Sequence, residues 1–268
     1  MLKECLAFIK KDFLNARSYK ASFFMSWFWA LSSLFTCFFI AKLVGDWPVS
    51  YLSDYGGKYF PFLLVGITLA NYIGASLGGF NESINSEQWS GTLEVLFVSP
   101  VKISTLILSM NLWKLINASI NVIIYLLLAT LLLGVRFNNA NIFAGIVILS
   151  LTIISFSSIG IISSALILVF KRGGILNPIF GGMAGFFGGL YFPITILPKW
   201  LQIISHSLPL TYSLRALRHA LIMGYSFRLL ANDIIILALF SLILLPISIF
   251  CFKAAVKIAK RNASLSFY

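Results

Sequence analysis

The chain has 268 residues, 59% of them hydrophobic and 10% charged, with 20 basic against eight acidic side chains. Soluble domains carry about 25% charge, so the composition excludes a soluble globular protein and leaves a polytopic membrane protein. The net charge of +12 would point to nucleic acid in a soluble domain; in a membrane chain it marks the cytoplasmic side, and no nucleic-acid partner is expected.

Residues 1–20 read as an amphipathic helix. Leu2, Leu6, Ile9, Phe13 and Ala16 recur at spacings of four and three, with Lys3, Lys10, Lys11 and Arg17 off that face. Such a helix lies in the membrane interface. A first span over 21–43 follows, with an interfacial Trp27-Phe28-Trp29 cluster. It is long enough to stay, so no cleavable signal peptide is expected. Crossing the roughly 30 Å hydrocarbon core takes about 20 apolar residues. Runs at 58–80, 105–133, 142–170, 174–192 and 233–253 complete a set of six. They are too continuously apolar for barrel strands. The expectation is an all-α fold forming a single domain over 1–268. With the N-terminus inside, twelve basic residues fall inside and seven outside. The basic tail then returns inside.

The second span carries Gly66, Ala70, Gly74 and Gly78 at spacings of four. This small-residue stripe lets another backbone approach closely. The fifth span repeats the device in Gly181, Gly185 and Gly189. Packing within the chain fits both stripes, as does a partner subunit or a moving pathway. Asn71 and Asn177 need hydrogen-bond partners in lipid, as helix glue or as substrate contacts. Thr68, Phe180 and Phe187 belong to the same candidate region. Pro178 should bend the fifth span near its start.

Between the second and third spans lies NESINSEQWSGTLEVLFVSP, residues 81–100, with three of the eight acids: Glu82, Glu87 and Glu94. Gly91 and Thr92 break this helix-prone stretch. Leu93, Leu96 and Phe97 form an i, i+3, i+4 apolar set that returns to the core, and Pro100 ends the segment. A compact acidic projection on one side of the bilayer suits a push from a soluble partner. Glu94 either pairs with a basic group of the N-terminal helix or the partner, or is solvated.

After the fifth span, Pro193, Pro198 and Pro209 divide an external segment over 193–224 into short pieces. Residues 210–223 form an amphipathic helix. Leu210, Leu214, Leu217 and Leu221 make one face, Arg215, Arg218 and His219 the other, and Gly224 is its stop. The segment is too apolar for a solvated loop. It should dip into the outer leaflet and return, which requires protein shielding of its backbone. Arg215 and Arg218 are expected on the polar face, at outer headgroups or touching an anionic part of a cargo.

Several chemistries have no residues to carry them. No G-x-x-x-x-G-K-[ST] loop exists, so no nucleotide-hydrolysing site of that class is expected. His206 and His219 lack a metal-ligand pattern, and no cofactor is expected. No span holds the carboxylate pair of a proton-driven carrier. Lys114, alone well inside a span, should snorkel. Cys5, Cys37 and Cys251 read as small hydrophobes with no disulfide framework.

Glu87, four residues before Gly91-Thr92-Leu93-Glu94, and then Ser99-Pro100-Val101 resemble the E-x-x-x-G-T-L-E…S-P-V pattern of type-2 ABC exporter permeases. Phe192-Pro193, Leu197-Pro198, Trp200-Leu201 and Leu208-Pro209-Leu210-Thr211-Tyr212, with Arg215 or Arg218, resemble the external loop of the drug- and lipid-exporter branch. Gln88 departs from the pattern, since many relatives carry a basic residue there. The similarity covers essentially the whole chain, which carries no fused ATPase. It implies a permease of the bacterial inner membrane that pairs with a second copy or a paralogue and with two ATP-hydrolysing subunits, which would bind the ATP and magnesium. Glu82, Glu87, Gly91, Thr92 and Glu94 would form the coupling site. Thr68, Asn71, Gly74, Asn177, Phe180, Gly185 and Phe187 would line the pathway or dimer interface. Pro193, Arg215 and Arg218 would belong to the external gate. The 25 phenylalanines suit an amphipathic cargo and lipid contact equally. A secondary carrier or channel, and a membrane scaffold without transport, are the alternatives; an ATPase co-purifying with the chain discriminates them.

Overall fold

The computed structural model describes residues 2–18, 20–45, 51–99, 101, 103–135, 137, 139–170 and 176–261, without the side chains of 2–4, 16, 20–23, 26, 176–180 and 184. Ten α-helices account for most of it: α1 Leu2–Ser18, α2 Lys20–Val44, α3 Tyr59–Trp89, α4 Leu93–Val98, α5 Ile103–Leu131, α6 Ile142–Phe170, α7 Leu176–Phe187, α8 Lys199–His206, α9 Pro209–Leu221 and α10 Phe227–Arg261. Short 3₁₀ turns lie at Ser53–Tyr55 and Ile194–Ile196. The fold is all-helical among the described residues. Among the described residues, five helices, α2, α3, α5, α6 and α10, are long and apolar enough to cross a membrane. Phe28, Trp29, Phe39, Leu127, Leu242 and Phe250, all on these helices, are exposed, as expected where lipid replaces water as the solvent.

Two cores mark the two ends of the bundle. At the tip end, Phe80 and Ile84 of α3, Leu93 and Phe97 of α4, Leu106 of α5, Ile167 of α6 and Phe252 of α10 pack together, with Phe8 of α1 against them. At the far end, Val65 and Leu69 of α3, Ile148 of α6, Leu210, Leu214 and Leu217 of α9 and Leu230 of α10 form the second core. Small residues set the helix spacing. A Cβ on Gly160 of α6 would lie 2.5 Å from the Ser76 carbonyl of α3, and one on Gly79 would collide with Asn111 of α5. Interhelical hydrogen bonds add polar glue. Ser155 and Ser241 are 2.9 Å apart, Thr152 donates to Ser213 at 2.8 Å, and Asn81 donates to Ser163 at 2.9 Å.

Three expected boundaries differ from the observed ones. The second span, expected to end near residue 80, continues as one helix to Trp89. Asn81, Ser83 and Glu82 bond to α6 and α5, so the polar stretch need not leave the helix. Among the described residues, the expected fifth span, 174–192, contains the 12-residue α7, short of the about 20 residues a crossing helix needs. It stops because Gly189 adopts a left-handed φ of 79°, a conformation that ends helices. The chain still passes from Phe170 at the tip end to Gly189 at the far end through this segment. The last span extends past 233–253 to Phe227–Arg261, because Asp233 is ion-paired and Val256 and Ala259 are buried at the tip. Pro178 lies at the third residue of α7; its side chain is outside the described residues.

Candidate functional site

At the tip end, α3 reverses into α4 through a Schellman closure. The Thr92 amide donates to the Glu87 carbonyl and the Gly91 amide to the Gln88 carbonyl, both at 3.0 Å. Gly91 has φ 67°, the left-handed value that glycine adopts without a Cβ penalty. Leu93 and Phe97 then fold back into the tip core, and Lys260 of α10 donates to the Phe97 carbonyl at 2.8 Å, where the negative end of α4 favours a cation. The turn is therefore held from both sides. At 1.5 Å per residue the 31-residue α3 is roughly 46 Å long, so a helix that crosses the bundle also carries the acidic tip.

The three acids take different places. Glu87 is buried, its side chain 9% exposed, and pairs with Lys11 of α1 while accepting from the Thr92 hydroxyl. Glu82 is exposed and pairs with Lys114 of α5. Glu94 is exposed and has no ion pair among the described residues. The alternatives for Glu94 narrow to the exposed one. The acid tied to the N-terminal helix is Glu87 rather than Glu94, because the Schellman turn brings Glu87 inward and leaves Glu94 on the outer side of α4. Lys114 reaches the exposed Glu82 on the neighbouring helix, which fits a side chain that extends toward the tip end, and Ser83, donating to the Met110 carbonyl at 2.7 Å, draws that stretch of α5 against α3. Asp12 sits beside the Lys11–Glu87 pair. Burial pushes its carboxyl up, Lys11 pulls it down and Glu87 pushes it up further. Trp89, Val95 and Val98 are exposed around Glu94, so the projecting surface is apolar as well as acidic.

Between the ends, α3 and α7 border an open apolar cleft of about 180 Å³ lined by Ala70, Ile73, Gly74, Leu77, Gly78, Gly181 and Leu190. The glycine stripe thus divides. Gly66 packs within the chain: a Cβ there would lie 2.6 Å from the Leu190 carbonyl. Gly74 and Gly181 have nothing within 4 Å of that position. Asn71 is helix glue, donating to the Ile67 carbonyl at 3.1 Å and the Tyr125 hydroxyl at 3.3 Å. Buried Thr68 donates to the Val65 carbonyl of its own helix. The Gly185 Cβ position is 3.9 Å from Tyr191, and the Phe187 ring contacts Phe186 edge-on. Asn177 and Phe180 lie outside the described side chains.

At the far end, α9 is enclosed by protein, its leucine face in the core and Pro193 buried beneath the 3₁₀ turn. Here the expected polar face of α9 is corrected. Arg215 pairs with Asp233 of α10, its Nε donating to both carboxylate oxygens at 3.2 and 3.1 Å. Arg218 is 2% exposed and donates to the carbonyls of Phe62, Gly189 and Leu190 at 3.3, 2.8 and 2.9 Å, with its guanidinium over the Phe62 ring at 3.3 Å. Burial pushes its pKa down to about 9, still above neutrality, so it stays charged. Helical spacing put both arginines on the polar side of α9; it held no information that α3 and α10 close over that side.

His219 is stacked between Tyr55, at 5.2 Å, and Tyr225, at 4.8 Å. Burial pushes its imidazole below the usual value, Asp233 and Asp54 oppose this, and Arg215 adds to it. A base whose folded pKa is depressed stabilises the fold above its unfolded pKa of about 6.5, and that stability is lost as pH falls through the folded value. Thermal unfolding of the purified chain should therefore begin at lower temperature on acidification through this window. His219→Phe, which keeps the stacking, should flatten the response; an unchanged slope would remove His219 from the account.

Residues 3–222 match the model of the ABC-2 type transporter family. No curated protein matches the chain. The match takes in α1, the acidic tip, the cleft and α9, so the chain belongs to the ABC-2 type transporter family and is a transmembrane permease of an ABC transporter.

Proposed function

We propose that the protein is an export permease which works as a dimer, driven by two separate ATP-binding-cassette subunits docked on the α3–α4 tip. The observation that supports this best is the continuity of α3 from the cleft at Gly74 to the acidic turn at Glu87–Glu94. A displacement at the tip reaches the cleft without passing through a flexible joint. The tip end is cytoplasmic in this reading, with both termini on the cytoplasmic side of the bacterial inner membrane, and the stretch that contains α7 counts as the sixth crossing. A second copy, or a paralogous permease, covers the open faces of α3 and α7. The apolar cleft suits the hydrophobic part of an amphipathic cargo such as a drug, lipid or glycolipid-like molecule. The chain binds no ATP itself; its partner supplies the hydrolysis.

Gly74→Leu and Gly185→Leu test the dimer. Neither Cβ position is crowded within the chain, so each variant should fold and insert. Bulk at a close helix contact should then abolish dimer crosslinking and transport. ATPase subunits should co-purify with the wild-type chain and confer ATP turnover that the chain alone lacks. Full transport and unchanged crosslinking in both variants would refute the interface.

A further inference from the structure

We propose that Arg218 and Gly66 together form a latch that holds the main chain at Gly189–Leu190 against α3 and so closes the far-end mouth of the α3/α7 cleft. Leu190 belongs to both structures: it lines the cleft, and its carbonyl accepts from Arg218. The same carbonyl lies 2.6 Å from the Gly66 Cβ position, a separation that any side chain there would destroy. The Tyr59 hydroxyl donates to the Tyr191 carbonyl at 2.9 Å, fastening the next residue to the first turn of α3.

The chemistry favours a releasable contact. Arg218 is a buried cation with no carboxylate partner among the described residues. Main-chain carbonyls and the Phe62 ring face balance its charge. Its planar fork reaches two segments at once, Phe62 of α3 and Gly189–Leu190 beyond α7, which a single ammonium cannot match. Arg215, three residues earlier, instead has a carboxylate clamp on α10. Residues on one helix thus play different roles: Arg215 anchors α9, and Arg218 positions the cleft mouth.

This inference rests on the pathway reading of the cleft, and its labelling test needs neither cargo nor ATPase; only the separate test of that reading uses export. A cysteine is placed at Ala70 in a full-length chain whose Cys5, Cys37 and Cys251 are alanine. The protein is reconstituted in vesicles and labelled with a membrane-impermeant maleimide from the far-end side. Arg218→Lys and Gly66→Ala should each raise the labelling rate by about tenfold, the factor for loss of roughly one charge-assisted hydrogen bond, with the melting temperature close to the parent's. Gly66→Ala reaches the latch sterically with the guanidinium intact, so it carries the test if Arg218→Lys does not fold. Unchanged labelling in folded variants overturns the latch. Failure of both variants to fold also overturns it, because the contact would then belong to the fold itself. Loss of export with labelling as expected would keep the latch; normal export with Ala70 permanently blocked would instead reject the cleft as the pathway.

Discussion

Glu94→Ala should leave the permease folded and membrane-inserted while weakening ATPase association and uncoupling hydrolysis from transport; Lys11→Met should damage the permease itself. The two carboxylates explain the difference. Glu94 is exposed and has no ion pair among the described residues, and surface substitutions of this kind usually change stability by less than about 0.5 kcal/mol. Its contribution can only come from a partner. Glu87 is 91% covered and leans on Lys11, whose side chain is 45% exposed. Removing Lys11 leaves a buried carboxylate with the Thr92 hydroxyl as its side-chain partner among the described residues, at a cost on the order of 1–3 kcal/mol. Removing Glu87 leaves a lysine that water can solvate. Glu87→Gln should therefore melt nearer the wild type than Lys11→Met. Thermal unfolding and co-purification with the ATPase measure the two effects separately. If Glu94→Ala binds and transports normally, the coupling assignment is wrong. If Lys11→Met is the milder variant in melting, the Lys11–Glu87 bond does not hold α1 to α3.

Arg215→Ala should cost more stability than any other single arginine or lysine truncation at the far end apart from Arg218. Asp233 is 6% exposed and depends on the two-pronged guanidinium contact. Stranding a buried charge costs about 3–5 kcal/mol, and the lower part of that range applies because the Arg215 side chain is 34% exposed. Arg215→Lys should recover only part of the loss, since a single ammonium cannot reproduce the fork. Asp233→Asn with Arg215→Gln should be milder than Arg215→Ala alone, because no charge is left unpaired. The measurement is thermal unfolding in one detergent. Equal melting temperatures for wild type and Arg215→Ala would show that the pair contributes nothing. A cargo-contact role predicts the reverse pattern, with normal melting and lost transport.

Composition and run length were enough to determine the membrane class, the all-helical fold and nearly every long helix, because spanning lipid requires continuous apolar segments whose backbone bonds are internal. The turn at Gly91 and the return of Leu93, Leu96 and Phe97 were legible for a similar reason: left-handed glycine and an i, i+3, i+4 apolar set are local properties. Helical spacing also named the leucine face of α9. Which side chains meet was decided by tertiary structure. Local rules cannot tell that α1 packs on α5 within reach of the end of α3, so the pairing of Lys11 with Glu87, and not with Glu94, was out of their reach. They cannot tell that Gly66 meets a carbonyl while Gly74 meets open space, since the same stripe supports either. Nor can they tell a polar face turned to water from one closed over by α3 and α10. Arg218 looks like any surface arginine in the sequence; its burial among carbonyls exists only because residues 62, 189 and 190, far apart in the chain, converge on it.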